Sequence, residues 1–266
     1  MQTAHMIARL FLVLALSFVI TEAQTFDDPV MSLSHYDDLD RIIDKGFPIE
    51  HMELMIHRAS MGKSGLDDYY VRRQRQASTL RLLWGAYHFA RAESNGINDE
   101  SPSDQVDHFL STVLKEKSAS GKVILVINWD AYGPSIHRKS MSPAALAQMV
   151  EEINKRTGHY PGICTSSKFL QEICSQDLPS EVSQVLARSW LWIQSFDESV
   201  PQLPDKSPWK KWTLWFHASH DDKRTADKDS KMGFITPDLS YSSMHRGQEL
   251  MDWYNIQSWD YNEKKQ

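Results

Sequence analysis

Two polar side chains, Asn128 and Asp130, close an apolar run from Val123 to Ile127, with Gly133 and Pro134 just beyond. Residues two apart share one face of a strand, so both would project to the same side. Asp130 carries a carboxyl that can hold or release a proton. Asn128 cannot ionise but can accept and donate hydrogen bonds. A buried strand with a polar tip has the form of a site mouth, and Asp130 is its candidate acid or base. Other combinations are weaker. There is no Gly-x-Ser-x-Gly elbow for a serine nucleophile, no phosphate-cradling glycine loop and no Cys-x-x-Cys pair, so no cofactor is expected. His217, His220, Asp221 and Asp222 could in principle hold a divalent ion. That stretch runs on into KRTADKDSKMG, however, a polar loop in which solvated histidines are the norm.

The elements that must position such a tip alternate along the chain. Strand candidates are Val30 to Ser34, Met52 to Ser60, Leu82 to Ala90, the run ending at Asn128, YPGICTSS from Tyr160, RSWLWIQSF, WTLWFHAS and MDWYNIQSW. Between the earlier ones lie helical patterns: SHYDDLDRIIDKG, DDYYVRRQRQASTL, SPSDQVDHFLSTVLKEK, SPAALAQMVEEINKRTG and SKFLQEICS. Two of these begin Ser-Pro, a capping residue followed by a proline suited to the first turn. Alternating strands and helices of 10–15 residues indicate βαβ units and a largely parallel sheet. Eight strand candidates, the later ones without clear intervening helices, predict an α/β fold in one domain: an irregular (β/α) TIM-like barrel. Barrel sites form at the C-terminal ends of strands, which directs attention to Ser32 to His35, Arg58 to Ser60, His88, Asn128 to Asp130, Thr165 and His217.

Composition narrows the function. A formal net charge of −6 argues against a nucleic-acid partner, since phosphate binding wants a basic face. Residues 1–23 combine Arg9, an apolar run from Leu10 to Ile20 and a small-residue exit at Ala23, the pattern of a secretory signal peptide. The run is too short for a membrane span of about 20 residues. We expect a secreted or periplasmic chain whose domain occupies 24–266, with no stable membrane insertion once the signal is removed. Cys164 and Cys174 could pair in an oxidising compartment or remain two buried thiols. Five of the nine Trp fall between residues 190 and 215, and such aromatics serve either a core or a carbohydrate cleft.

The strand ends together resemble glycoside hydrolase family 25, the lysozymes that cut peptidoglycan and have an irregular α/β barrel. The resemblance spans about residues 29 to 256. HRAS at 57–60 with Gly62, Asp67 with Tyr70, WGAYHFAR at 84–91, YPGICTSSKFL at 160–170, LWI at 191–193, WTLW at 212–215 and MDW at 251–253 carry it, in order and at matching spacing. Cys164 stands where a tyrosine is usual. Asn128-Trp129-Asp130 stands where the family has Asp-x-Glu, the glutamic acid protonating the leaving oxygen and the aspartate stabilising charge on the sugar or assisting its acetamido group. Ser32-Leu33-Ser34-His35 stands where the family has Asp-Val-Ser-His, so a further carboxylate is missing. Asp130 is one methylene shorter than glutamate, drawing its oxygens back by roughly 1.5 Å. A displacement of about 1 Å can lower a rate on the order of a hundredfold.

The resemblance implies a lysozyme-type hydrolase acting on peptidoglycan or a related amino-sugar glycan, with an altered acid pair, Asn128 and Asp130, and reduced or lost activity. Its substrate-binding candidates are Ser32, His35, Arg58, Tyr87, His88, Trp129, Trp192, Trp215 and Asp252, with no metal. Asp27, Asp28, Asp197, Glu198 and Asp252 are candidates to replace the missing charges. The alternative is a barrel that binds glycan without cutting it.

Overall fold

In the computed structural model the described residues are 29–262, except 45, 93–99, 116–120, 131–139, 197–199, 219–237 and 244–246. The proposed signal peptide, Asp27, Asp28, Asp197, Glu198 and the stretch from His220 to Asp222 lie outside them. Among the described residues no helix is long and apolar enough to cross a membrane.

The strands are β1 (Val30–Leu33), β2 (Leu54–Met61), β3 (Gly65–Leu66), β4 (Leu83–Phe89), β5 (Lys122–Asn128), β6 (Gly162–Ser166), β7 (Leu191–Gln194), β8 (Leu214–Ala218), β9 (Asp238–Ser242) and β10 (Trp259–Asp260). The helices are α1 (Leu39–Asp44), α2 (Tyr70–Thr79), α3 (Pro102–Leu114), α4 (Pro143–Thr157), α5 (Ser167–Ile173), α6 (Ser180–Leu186) and α7 (Gln248–Gln257). Seven strands, β1, β2 and β4 to β8, run parallel in sheet order. β9 is antiparallel to both β8 and β1, so the circuit of pairings closes on itself. Helices α1 to α6 fill the crossovers from β1 to β7. Among the described residues none separates β7 from β8, so only part of the ring is built of βα units and the barrel is irregular.

The Ser-Pro signals act as read. Ser101 Oγ accepts from the Asp104 N–H and Ser142 Oγ from the Ala145 N–H, each with a proline in the first turn. Gly158 ends α4 at φ +83°, a left-handed geometry a side chain rarely adopts.

Two apolar clusters divide the sheet by parity. One, built from Met31, Met55, Trp84, Leu125, Ile127, Ile163 and Ile193, packs against helix residues such as Phe109, Val113 and Leu146 and lies outside the ring. The other, with Val30, Ile56, Ile124, Val126, Trp192 and Leu214, fills the inside. Gly85 belongs to the inner set. A Cβ there would come within 2.9 Å of both Ile56 and Ile124, so the interior leaves room only for hydrogen.

Two expectations are corrected. MDWYNIQSW, read as the eighth strand, is most of helix α7. The strand that closes the ring is DLSYS, β9, which the periodicity did not reveal. α7 instead covers the N-terminal end of the barrel. The Tyr254 hydroxyl accepts from the Trp84 N–H at 3.4 Å and lies 3.1 Å from the carbonyls of Trp84 and Lys122, at the starts of β4 and β5. Cys164 and Cys174 are free and buried, one in the inner cluster and the other in the outer.

Candidate active site

The C-terminal ends of the parallel strands form one mouth of the ring. Strand parity decides which side chains reach it. On β5 the outward positions Val123, Leu125 and Ile127 alternate with inward Ile124 and Val126, so Asn128 faces in and Trp129 faces out. Asp130 follows with the parity of Asn128. The register aligns Phe89 of β4 and Cys164 of β6 with Asn128, placing them on the same inner wall. Asn128 is half-buried, and its Oδ1, shielded from solvent, has no hydrogen-bond partner among the described residues.

Asp130 is held by its neighbour strand. Its carboxylate accepts from the Ser166 N–H at 3.2 Å and from the Ser166 hydroxyl at 2.9 Å. Ser166 also caps α5, its Oγ accepting from the Phe169 N–H. Both hydrogen bonds tie the Asp130 side chain to the end of β6 and the start of α5. The sequence pattern indicates Asp130 but not this tether.

At the strand ends of β1 and β2 a second polar group forms around Asp67, whose side chain is fully buried. It accepts from the His35 backbone N–H at 2.9 Å, from Arg58 Nε at 3.0 Å, from Arg58 Nη2 at 2.9 Å and from the Tyr69 N–H at 3.1 Å. The His35 ring brings Nδ1 within 3.2 Å of the same carboxylate and also touches Arg58 Nη2. Burial works against the Asp67 charge. The neighbouring His57, the His35 N–H, Arg58 and the Tyr69 N–H together outweigh it and hold the carboxyl below its ordinary value. Asp67 was noted as a family position but not as a site residue. What signals its role is three-dimensional: four donors converge on it, three of them from segments 9 and 32 residues away.

Of the remaining candidates, Ser32 and Tyr87 face the interior of the ring, Ser32 buried and Tyr87 half-buried against the inner cluster. Trp192 also points inward but lies deep, with its indole N–H donating to Ser240 Oγ at 2.9 Å. It fills the barrel rather than its mouth.

Three others face outward and are buried. His88 is wholly enclosed. Gln105 uses its amide nitrogen on the carbonyls of Arg91 and Glu100, so its Oε1 accepts from His88 Nε2 at 3.2 Å, and His88 Nδ1 accepts from Ser60 Oγ at 2.9 Å. Desolvation lowers the His88 pKa to about 3 and keeps the ring neutral. Trp129 donates its indole N–H to the Met141 carbonyl at 2.8 Å and meets Phe169 edge-on. Trp215 donates to the Ser195 carbonyl at 2.7 Å. All three rings are buried on the outer face of the sheet and leave no face for a sugar. Asp252 lies on α7, exposed and accepting from Gln248 Nε2 at 2.6 Å, at the opposite end of the barrel. His217 of β8 packs its ring 6.1 Å from Trp215 on the outer face.

A closed ring of mainly parallel strands with a polar C-terminal mouth and a partial helical coat defines an irregular (β/α)-barrel. The family model "Glycosyl hydrolases family 25" matches residues 42–225, and the chain belongs to that family. The fold is similar to a bacterial lysozyme from Streptomyces coelicolor, at 18% identity and TM-score 0.61 over 85% of this chain and 96% of that one. It is similar to a muramidase from Acremonium alcalophilum, also at 18% and 0.61, over 86% and 99%. A family 25 glycosyl hydrolase from Bacillus anthracis aligns at 19% identity and TM-score 0.58 over 87% and 94%. No curated protein sequence gives a significant match.

Proposed function

We propose that the chain is a secreted lysozyme-type glycoside hydrolase that acts on peptidoglycan or a related amino-sugar glycan at the C-terminal mouth of its barrel. The observation that carries this is the inward parity of Asn128, with Asp130 following it, on the strand beside Tyr87, in a chain of a glycoside hydrolase family. Asp130, when protonated, gives its proton to the leaving glycosidic oxygen. Asn128 supplies no charge, but its Oδ1 has no partner among the described residues and its amide can bind a sugar acetamido group. The carboxylate of Asp67 is already committed to Arg58 and His35 and orients them rather than attacking. With one acid shortened and the second carboxylate lost, the rate is expected on the order of a hundredfold or more below that of an enzyme with the full pair.

A second reading, glycan binding without cleavage, is favoured by the two Ser166 donors, which tie the Asp130 side chain to the neighbouring strand end. Turbidity clearing of purified peptidoglycan by the wild-type chain and by Asp130→Asn separates the two. Slow clearing abolished by Asp130→Asn supports hydrolysis. Absent clearing with retained sedimentation on the insoluble glycan supports binding alone. Neither clearing nor sedimentation sinks both.

A further inference from the structure

Asp130 lies two residues beyond Asn128, and Ser166 lies two beyond Cys164, the residue that the β5–β6 register pairs with Asn128. Parity therefore turns Asp130 and Ser166 the same way and brings them level at the end of the ring. Their contact follows from that register. The Ser166 hydroxyl donates to Asp130 Oδ1 at 2.9 Å and the Ser166 N–H to Oδ2 at 3.2 Å, one donor for each carboxyl oxygen.

Ser166 is itself held on every side. It is the last residue of β6, aligned with Gln194 of β7, and also the N-cap of α5, with nothing between strand and helix. Its Oγ accepts from the Phe169 N–H at 3.2 Å. A backbone N–H can only donate, so the hydroxyl proton of Ser166 is left for Asp130. Backbone and hydroxyl are thus both fixed in the folded chain, as a group that orients another must be.

The two donors engage one lone pair on each oxygen of Asp130. Each oxygen has a second, so a proton carried by Asp130 takes a lone pair turned away from Ser166. Thr165, one residue earlier, gives the contrast. It has the outward parity, is fully buried, and its Oγ1 has no partner among the described residues.

We propose that Ser166 is the positioning residue for the hydrolytic step: it holds the shortened Asp130 side chain at a fixed point beside β6 and directs the transferable proton away from that strand. The role rests on the reading of Asp130 as the acid. A displacement of about 1 Å can lower a rate on the order of a hundredfold, so an acid this short depends on its tether.

The test is the initial rate of clearing of purified peptidoglycan over a range of glycan concentrations, for variants that a thermal melt shows to be folded. Ser166→Ala should lower kcat roughly tenfold or more and leave KM within about twofold. Ser166→Thr keeps the hydroxyl and should restore kcat to within about threefold of wild type. Ser166→Asp keeps a capping oxygen but cannot donate from its side chain, and should lose kcat as Ser166→Ala does. It carries the comparison if Ser166→Ala does not fold. Thr165→Val, which removes the neighbouring hydroxyl of opposite parity, should change neither constant. Unchanged or raised kcat in Ser166→Ala overturns the positioning role and leaves Asp130 as the acid. Full activity in Ser166→Asp would reduce Ser166 to a helix cap, and an equal loss in Thr165→Val would make the effect one of strand packing; either overturns the role. Absence of clearing by the wild-type chain overturns it together with the hydrolase reading.

Discussion

Tyr87 and His88, or Asn128 and Trp129, are chain neighbours at the ends of adjacent strands, yet they live in different environments. The outward members of these pairs are buried under helices with their polar atoms matched. His88 has Ser60 and Gln105, and Trp129 has the Met141 carbonyl and the Phe169 ring. The inward members, Tyr87 and Asn128, are half-buried at the mouth, and Asn128 keeps an oxygen with no partner among the described residues. One residue of offset along a strand thus separates packing from chemistry. The difference teaches that a polar or aromatic residue at a barrel strand end says little about function until its parity is known.

The contrast can be broken most forcefully on the outer face. Trp129→Ala removes a buried ring and strands the Met141 carbonyl, and should destabilise the fold by about 3–5 kcal/mol in a denaturant titration. A loss below about 1 kcal/mol would mean that Trp129 is not the packing anchor described here.

Acid should attack the same face. Burial lowers His57 to about 4 and His88 to about 3, from an unfolded value near 6.5. The unfolded chain therefore takes up protons below pH 6.5 that the folded chain refuses. Stability should fall as the pH drops from about 6.5 toward 4 and below, by a few kcal/mol in total. The Asp67 carboxyl, held below its ordinary value, contributes in the same direction once the pH falls below about 4. Denaturation midpoints that stay flat from pH 7 to 4 would show that these histidines are not buried as neutral rings.

On the inner face the expected structural effect is smallest. Asn128→Ala deletes an oxygen that has no partner among the described residues, so its stability change should stay within about 0.5 kcal/mol. Glycan binding at the mouth should weaken all the same. A large stability loss with unchanged binding would erase the distinction between the two faces.

Much of the architecture was legible along the chain because its signals are local. Ser101 and Ser142 before proline announced two helices, and apolar runs ending in polar residues announced β2, β4 and β5. The closing strand was not legible. DLSYS is short and mostly polar, and what makes it a strand is its pairing with β1 and β8. MDWYNIQSW misled for the converse reason. Its aromatics suggested a strand, but Tyr254 and Leu250 are buried from one side of a helix at the barrel's N-terminal end.

For the site, residue identity alone established that Asn128 cannot ionise and that Asp130 is a methylene short of glutamate, since both are properties of covalent structure. Only the folded chain decided what those side chains meet. Ser166 lies 36 residues from Asp130, and Asp67 gathers His35 from 32 residues away. Contacts of that separation arise where βα crossovers lay consecutive strands side by side, and a one-dimensional pattern carries no record of which side chains those strand ends bring together.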